Sequence, residues 1–309
     1  MRVPLRSGRR SGLRSAAPAV AAVALLALAA CAPVEDDADT ADEPTATASA
    51  DESASESAEE CAPDSLPSKK AGTLTIGTDS PAFEPWFKDN DPSNGEGFES
   101  AVAYAVAEEL GFSEDQVEWV KVPFNNSYAP GPKNFDFDIN QISITPEREE
   151  AVDFSQGYYT AAQALVALKD SPAAAATSIE DLRDYNLSAQ TGTTSLTVLR
   201  EVIQPDKTIN PFEDTNQAKQ ALNNGQIDGF LADLPTAFFI TAVEIPKATI
   251  VGQFQPEGGE PEEFGLLFEK GSDLVPCVDR ALTSLKDSGE LAEIEEQWLS
   301  NVVDVPVLQ

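Results

Sequence analysis

From Thr73 to Leu299 the chain switches repeatedly between two hydrophobic periodicities, and this switching constrains its fold more than any other feature. Thr73–Asp79 (TLTIGTD) alternates like a strand and stops at Ser80-Pro81. Phe98–Leu110 instead spaces Phe98, Val102, Val106 and Leu110 four residues apart, with Gly111 as a stop, so it reads as an amphipathic helix. Val117–Phe124 is expected as the next strand and Phe135–Ser143 as another, after which Thr145-Pro146 opens a short helix. Further strand signals lie at Ala164–Leu168, Asn186–Gln190, Ile227–Ala232, Ala248–Phe254 and Glu263–Phe268. Helical signals lie at Ser195–Ile203, Gln217–Asn223, Leu234–Val243, Val275–Asp287 and Glu290–Leu299. Strands alternating with helices predict an α/β protein with largely parallel sheets, and the two runs predict two lobes.

The segment before this region cannot join its core. Residues 32–60 hold eleven acids, no base and no aromatic side chain, so they bury too little apolar surface to offset chain entropy. They read as a solvated tether that its own like charges extend. Residues 1–14 carry five arginines and no acid, and Ala16–Ala30 is an apolar run of fifteen residues, short for a bilayer span. It ends in Leu28-Ala29-Ala30-Cys31, which resembles the lipobox of bacterial lipoproteins. That resemblance implies cleavage before Cys31 and lipidation of its sulfur; the alternative is an ordinary secretory signal that happens to precede a cysteine. Residues 1–30 are thus expected as a lipoprotein signal peptide and 31–60 as a disordered acidic tether. The chain would then be held by its lipid on the extracytoplasmic face of a bacterial cell membrane, stably if two acyl chains are present. With Cys31 lipidated, Cys61 and Cys277 are left over in an oxidising compartment, where a bridge between them is expected and two free thiols are the alternative.

Charge and residue types exclude several functions. The chain has no histidine, so a Ser-His-Asp triad, His-ligated zinc and imidazole acid–base chemistry are all absent. Its 20 basic residues face 53 acidic ones, and a net charge of −33 repels phosphate backbones, which argues against a nucleic-acid partner. No Walker-type GxxxxGK[ST], CxxC or GxSxG occurs. Gly95-Glu96-Gly97 starts like a dinucleotide fingerprint, but Ser100 takes the third glycine's place. Asp89, Asp91 and Ser93 imitate the start of a calcium loop, but Asn94 stands at its obligatory glycine. No cofactor and no metal are expected.

Six segments in register carry a resemblance. They are Gly77-Thr78-Asp79 leading to Pro81–Trp86; Gly97-Phe98-Glu99; Ser143-Ile144-Thr145-Pro146-Glu147-Arg148 leading to Val152-Asp153-Phe154-Ser155; Gln190-Thr191-Gly192-Thr193-Thr194; Asn224–Gly229 leading to Asp233-Leu234-Pro235; and Leu291-Ala292-Glu293-Ile294 ending at Trp298. Together they resemble the polar-amino-acid substrate-binding proteins of ABC importers, extracellular solute-binding family 3. The resemblance implies a two-lobed periplasmic-binding-protein-like clamp (type II) with two crossing hinge strands, here Ala164–Leu168 and Glu263–Phe268. Lobe one would comprise residues 61–166 and 262–309, and lobe two residues 167–261. A monomer is expected that closes on an amino acid and presents it to the transmembrane subunits of an ABC permease.

The same resemblance implies a site, and the residues can be read physically beside it. Arg148 sits in the first turn after Thr145-Pro146, where the helix dipole favours an anion, so a cation there is out of place unless it helps recruit one, as bidentate pairing does; the resemblance implies that it is the ligand for an α-carboxylate. The alternative is a surface arginine paired with Glu147 or Glu150. Ser143 would add a donor and Gln141 a backbone carbonyl for the ammonium. Asp233, at the carboxyl end of a strand, would take the ammonium, although a helix cap is also open to it. Thr194 would donate from lobe two or serve only as an N-cap. Asp79 would meet the ligand's side chain between Phe83 and Phe124, two aromatics that could equally be core residues. An acid between aromatic walls suits a cationic side chain and tolerates an amide, and it disfavours Glu or Asp as cargo unless a base such as Lys133 reaches in. Two other classes stay open. One is an enzyme of cyclohexadienyl-dehydratase-like or lytic-transglycosylase-like type on this scaffold, with Asp79 or Glu99 as its acid. The other is an amino-acid sensor without transport.

Overall fold

The computed structural model describes residues 61–254, 261–299 and 305–308; the expected signal peptide, Cys31 and the acidic tether lie outside them. In chain order the strands are β1 (Leu74–Thr78), β2 (Val117–Lys121), β3 (Phe137–Asp138), β4 (Val152–Ala161), β5 (Gln163–Leu168), β6 (Leu187–Ser188), β7 (Gly229–Asp233), β8 (Ala248–Phe254) and β9 (Glu262–Glu269). The helices are α1 (Phe98–Glu109), α2 (Phe124–Ser127), α3 (Pro146–Glu149), α4 (Ile179–Leu182), α5 (Thr194–Val198), α6 (Thr215–Asn223), α7 (Leu234–Phe239), α8 (Val275–Ser288) and α9 (Glu290–Leu299). Leu199–Ile203 and Ile240–Glu244 prolong α5 and α7 as single π-helical stretches.

The strands make two sheets. A five-stranded sheet has the order β2-β1-β3-β9-β4, with β1 parallel to both β2 and β3 and β9 antiparallel to β3 and β4. A four-stranded sheet has the order β6-β7-β5-β8, with β6 parallel to β7 and β5 antiparallel to both its neighbours. β1 is buried at all of its residues, as a strand covered on both faces must be. Helices α1, α8 and α9 pack together against the first sheet, where Trp86, Phe98, Tyr158, Tyr159 and Phe264 form one aromatic cluster. The second sheet has an apolar cluster on each face: Val166, Phe230 and Leu222 belong to one, Leu165, Leu199 and Leu231 to the other. The two sheets with their helices are the two lobes.

The helix ends follow their sequence signals. Thr145 caps α3 by accepting from the Arg148 backbone N–H, with Pro146 as the first helical residue. Asp214 caps α6 through the Gln217 N–H at 2.9 Å, and α8 ends at Gly289 with φ of 87°.

Several expected boundaries move. β5 lies wholly in the four-stranded sheet, so the division expected after residue 166 falls instead at Ala162, between β4 and β5. The expected crossing strands Ala164–Leu168 and Glu263–Phe268 each pair within one sheet, the first in β5 of the four-stranded sheet and the second in β9 of the five-stranded one. The C-terminal residues do not all remain in lobe one. Val307 bridges to Gln253 of β8, Gln253 N donates to Pro306 O at 2.8 Å, and Leu308 is buried in lobe two beside Gly252. Phe124 is not at a strand end, because Pro123 stops the ladder and α2 begins there. The expected strand over 135–143 shrinks to β3, since Gln141 adopts φ of 48° and leaves the extended region.

Cys61 and Cys277 form a disulfide with Cα atoms 5.5 Å apart. The bond joins the start of the described chain to α8 of lobe one across 216 residues, and in the chain-entropy model a loop this long contributes about 5 kcal/mol. Among the described residues no helix is long and apolar enough to cross a membrane.

Candidate functional site

The parallel strands of both lobes end at one cavity. β1 and β3 of lobe one lead into Asp79 and into Asn140, Gln141 and Ser143; β6 and β7 of lobe two lead into Thr193-Thr194 and Asp233. Ligands of open α/β sheets sit at such carboxyl ends, where loops and helix N-termini leave polar groups unspent. All eight residues nominated from the sequence line this cavity: Asp79, Phe83, Phe124, Gln141, Ser143, Arg148, Thr194 and Asp233. Lys133 does not, because its ammonium is held by the carbonyls of Ala129 and Asn126.

Arg148 is buried, and its guanidinium reaches both lobes. Nη1 donates to Ser143 O at 2.7 Å and Nη2 to Gly192 O at 3.0 Å, while Cζ lies 4.8 Å from the Tyr128 ring centroid and 5.6 Å from that of Phe124. Two flanking rings and two carbonyls fix the plane of the fork, so its remaining N–H groups are preorganised for an anion in the cavity. Burial lowers its pKa while Tyr128, Glu262 and Asp233 raise it. No ion pair to Glu147 or Glu150 forms among the described residues.

Asp233 is likewise turned to the site. It makes no side-chain cap to α7; Oδ1 instead accepts from Gln163 Nε2 at 2.8 Å. Burial and the nearby Glu262 push its carboxyl up to about 7, against the opposing hydrogen bond from Gln163. Thr193, not Thr194, caps α5, which leaves Thr194 Oγ1 free to lie 3.3 Å from Ser143 Oγ and 3.3 Å from Gln163 Nε2. Gln141 lines the cavity and is also tied to the wall behind it. Its backbone N–H donates to Glu99 Oε1 at 2.7 Å, an oxygen that also accepts from Tyr158 OH at 2.5 Å, and its side-chain amide donates to Glu99 Oε2. Burial pushes Glu99 up to about 7. With both oxygens occupied and no exposure, Glu99 supports the wall and does not face the cavity.

Asp79 receives the backbone N–H of Ser80 on one oxygen at 2.6 Å and that of Phe124 on the other at 3.1 Å. Both bonds aim the carboxylate and leave lone pairs over. Phe83 carries the Lys219 ammonium of lobe two 5.4 Å from its ring centroid, and Lys219 in turn binds both oxygens of Glu244 at 2.7 and 2.8 Å. A further contact between the lobes joins Trp86 Nε1 to Thr236 Oγ1 at 2.8 Å.

Two residues at the crossings escaped the sequence analysis. Gln163 opens an otherwise apolar strand, and that lone polar side chain was a usable signal. Glu262 sits among several acids, and nothing in its neighbourhood sets it apart; Oε1 accepts from Ser143 Oγ at 2.5 Å and Oε2 from Gln163 Nε2 at 3.1 Å.

The lobes meet closely at Gly192, whose φ is 81°. A Cβ there would collide with Asn125 Oδ1 and the Tyr128 hydroxyl of lobe one. Gly192→Ala is expected to weaken ligand binding about tenfold by keeping the lobes apart. The cost to unliganded stability should stay near the 1 kcal/mol of a left-handed alanine. Equilibrium dialysis beside urea unfolding measures the two, and unchanged affinity would contradict the contact.

Residues 74–301 match the bacterial extracellular solute-binding proteins, family 3. The L-cystine-binding protein TcyA of Bacillus subtilis (strain 168) is 27% identical over 241 residues, 76% of this chain and 84% of the relative. Among solved structures, an ancestral arginine-binding protein bound to glutamine superposes with a TM-score of 0.63 at 30% identity, covering 74% of this chain and 98% of the other. The ancestral amino acid-binding protein AncCDT-1, a precursor of cyclohexadienyl dehydratase, does so with a TM-score of 0.61 at 32% identity, covering 74% and 95%.

Proposed function

Because the chain belongs to the bacterial extracellular solute-binding proteins, family 3, a group whose relatives here are amino-acid-binding proteins, we propose that it captures a polar amino acid outside the cytoplasm and hands it to an ABC permease. One observation carries the reading: Arg148 and Asp233, from opposite lobes, line the same closed cavity. A fixed guanidinium and a half-buried carboxylate there match the two charges of a zwitterion. The α-carboxylate pairs with Arg148, Ser143 and Thr194, and the α-ammonium with Asp233.

Asp79 between Phe83 and Phe124 favours a cationic or amide side chain. Relatives that bind arginine and glutamine support that range. The resemblance of Leu28–Cys31 to a lipobox and the acidic segment behind it support a lipid anchor at Cys31, and the reading has the binding domain work as a monomer at the membrane's outer face.

Thermal unfolding in the presence of each of the twenty amino acids and ornithine tests the reading. A ligand that binds only the folded protein stabilises it by about 2.7 kcal/mol at a hundredfold excess over Kd. One or two cationic or amide amino acids should give this shift, and no shift with any would overturn the reading. A second reading, an enzyme of cyclohexadienyl-dehydratase type, draws on the likeness to AncCDT-1. It needs an acid facing a substrate; the enclosed Glu99 does not supply one, which leaves Asp79, a lining residue of the cavity, as its candidate. Turnover of prephenate or arogenate separates the two.

A further inference from the structure

Asp233 does not stand alone in its half of the cavity. Gln163, buried on β5, directs Nε2 to Asp233 Oδ1 at 2.8 Å and to Glu262 Oε2 at 3.1 Å, so a single amide nitrogen lies between two carboxyl groups. An amide brings no charge to offset them. The Gln163 oxygen is itself engaged by Ser195 Oγ, which fixes the amide's orientation, and the second oxygen of Glu262 is held by Ser143 Oγ.

The ionisable groups that act on Asp233 come from four elements. Glu262 faces it from β9 and Glu99 from α1; Arg148 lies toward it from α3, and Tyr158 and Tyr159 from β4. Both tyrosines are held neutral, since burial drives their pKa values upward. Arg148 is the cation of this set, and its Nη1 and Nη2 each give one N–H to a carbonyl, with no ion pair to Asp233 or Glu262 among the described residues. Among the described residues neither Asp233 nor Glu262 has an ion-pair partner. Burial and the negative Glu262 beside it both disfavour a charge on Asp233.

We propose that Glu262, facing Asp233 across Gln163, keeps a proton on Asp233 in the ligand-free protein, and that an arriving ammonium group expels it. The exchange balances. The Asp233 O–H bond breaks, its proton passes to water, and an ammonium N–H donates to the carboxylate so freed. Glu262 is therefore a positioning residue that acts through Asp233, and the ligand it selects is one with a cationic amine at this end. The inference rests on the reading of Asp233 as the ammonium seat.

The sign follows from linkage. Burial and Glu262 hold Asp233 at about 7 before binding, whereas an ammonium partner draws that value down. Affinity is therefore full above about pH 7 and falls about tenfold for each unit below it, because the site must first lose its proton.

The test uses the full chain and its Glu262→Gln variant. The Asp233 carboxyl carbon is followed by NMR as the ligand-free protein is titrated. L-arginine and L-glutamine are then titrated calorimetrically at about pH 6 and pH 8, in buffers of different ionisation enthalpy. In the parent protein Asp233 should titrate near neutrality. Whichever amino acid binds should bind several-fold to tenfold more weakly at the lower pH, with release of up to one proton. In Glu262→Gln the titration of Asp233 should move down by a unit or more, and the pH dependence over this range should flatten. An Asp233 that titrates in the ordinary carboxylate range, or a variant profile that superimposes on the parent's, overturns the proposal. A raised Asp233 that shifts in Glu262→Gln while neither amino acid binds upholds the carboxyl pair and counts against the amino-acid reading instead.

Discussion

Replacing Arg148 with alanine should raise Kd for the amino acid by roughly thirtyfold to several thousandfold, about 2–5 kcal/mol, while the protein stays folded. Two losses combine in that figure. The variant has no fork to pair with the α-carboxylate, and the enclosed carboxylate would be left without a countercharge. It also lacks the Arg148–Gly192 bond at 3.0 Å, one of the ties between the lobes. Stability should change little, because the truncation removes a buried charge and strands none; the carbonyls of Ser143 and Gly192 lose a donor each. Arg148→Lys separates charge from geometry: it keeps the cation but cannot form two parallel bonds, so it should fall between the parent and alanine. Calorimetry on the three proteins measures this. A change of less than threefold in Arg148→Ala would place the carboxylate elsewhere.

Gly97→Ala should have the largest effect on stability, a loss of about 3–5 kcal/mol in denaturant unfolding. Gly97 has φ 99° and ψ 155°, a region open essentially to glycine alone. A Cβ would also lie 2.5 Å from Trp86 O and 2.7 Å from Phe87 Cα, and backbone cannot swing aside as a side-chain tip can. That contact is where α1 docks. The N–H groups of Phe98 and Glu99 donate to Pro85 O and Trp86 O, each at 3.0 Å, in place of a side-chain cap. A methyl group at residue 97 pries these apart and disturbs Trp86 at the centre of the aromatic cluster. A loss under about 1 kcal/mol would show that α1 tolerates a different seat.

The sequence was legible where one local signal sufficed. Fully buried β1 and the four-residue spacing of α1 declared themselves, and Thr145-Pro146 marked the start of α3 to the residue. β4 was missed as a ten-residue strand because its ladder slips twice, between Phe154 and Gly157 and between Gly157 and Tyr159, which destroys the period of two that identifies a strand. The pieces that line the cavity were recognisable because each lies in a short motif at the end of a strand. Glu262 was not, since its importance comes from Ser143 and Gln163, residues far from it in the chain that only the fold brings near. The tie of Gln141 to Glu99 was hidden for the same reason: only the left-handed backbone at Gln141 turns its N–H and side-chain amide toward that carboxyl.

Residues 305–308 lie against β8 of lobe two, while Leu299, the end of α9, is buried in lobe one only six residues before Val305. The chain end is therefore made fast to both lobes, like a line tied off at each bank. Any parting of the lobes is limited by the reach of those few residues unless 305–308 are first pulled off β8.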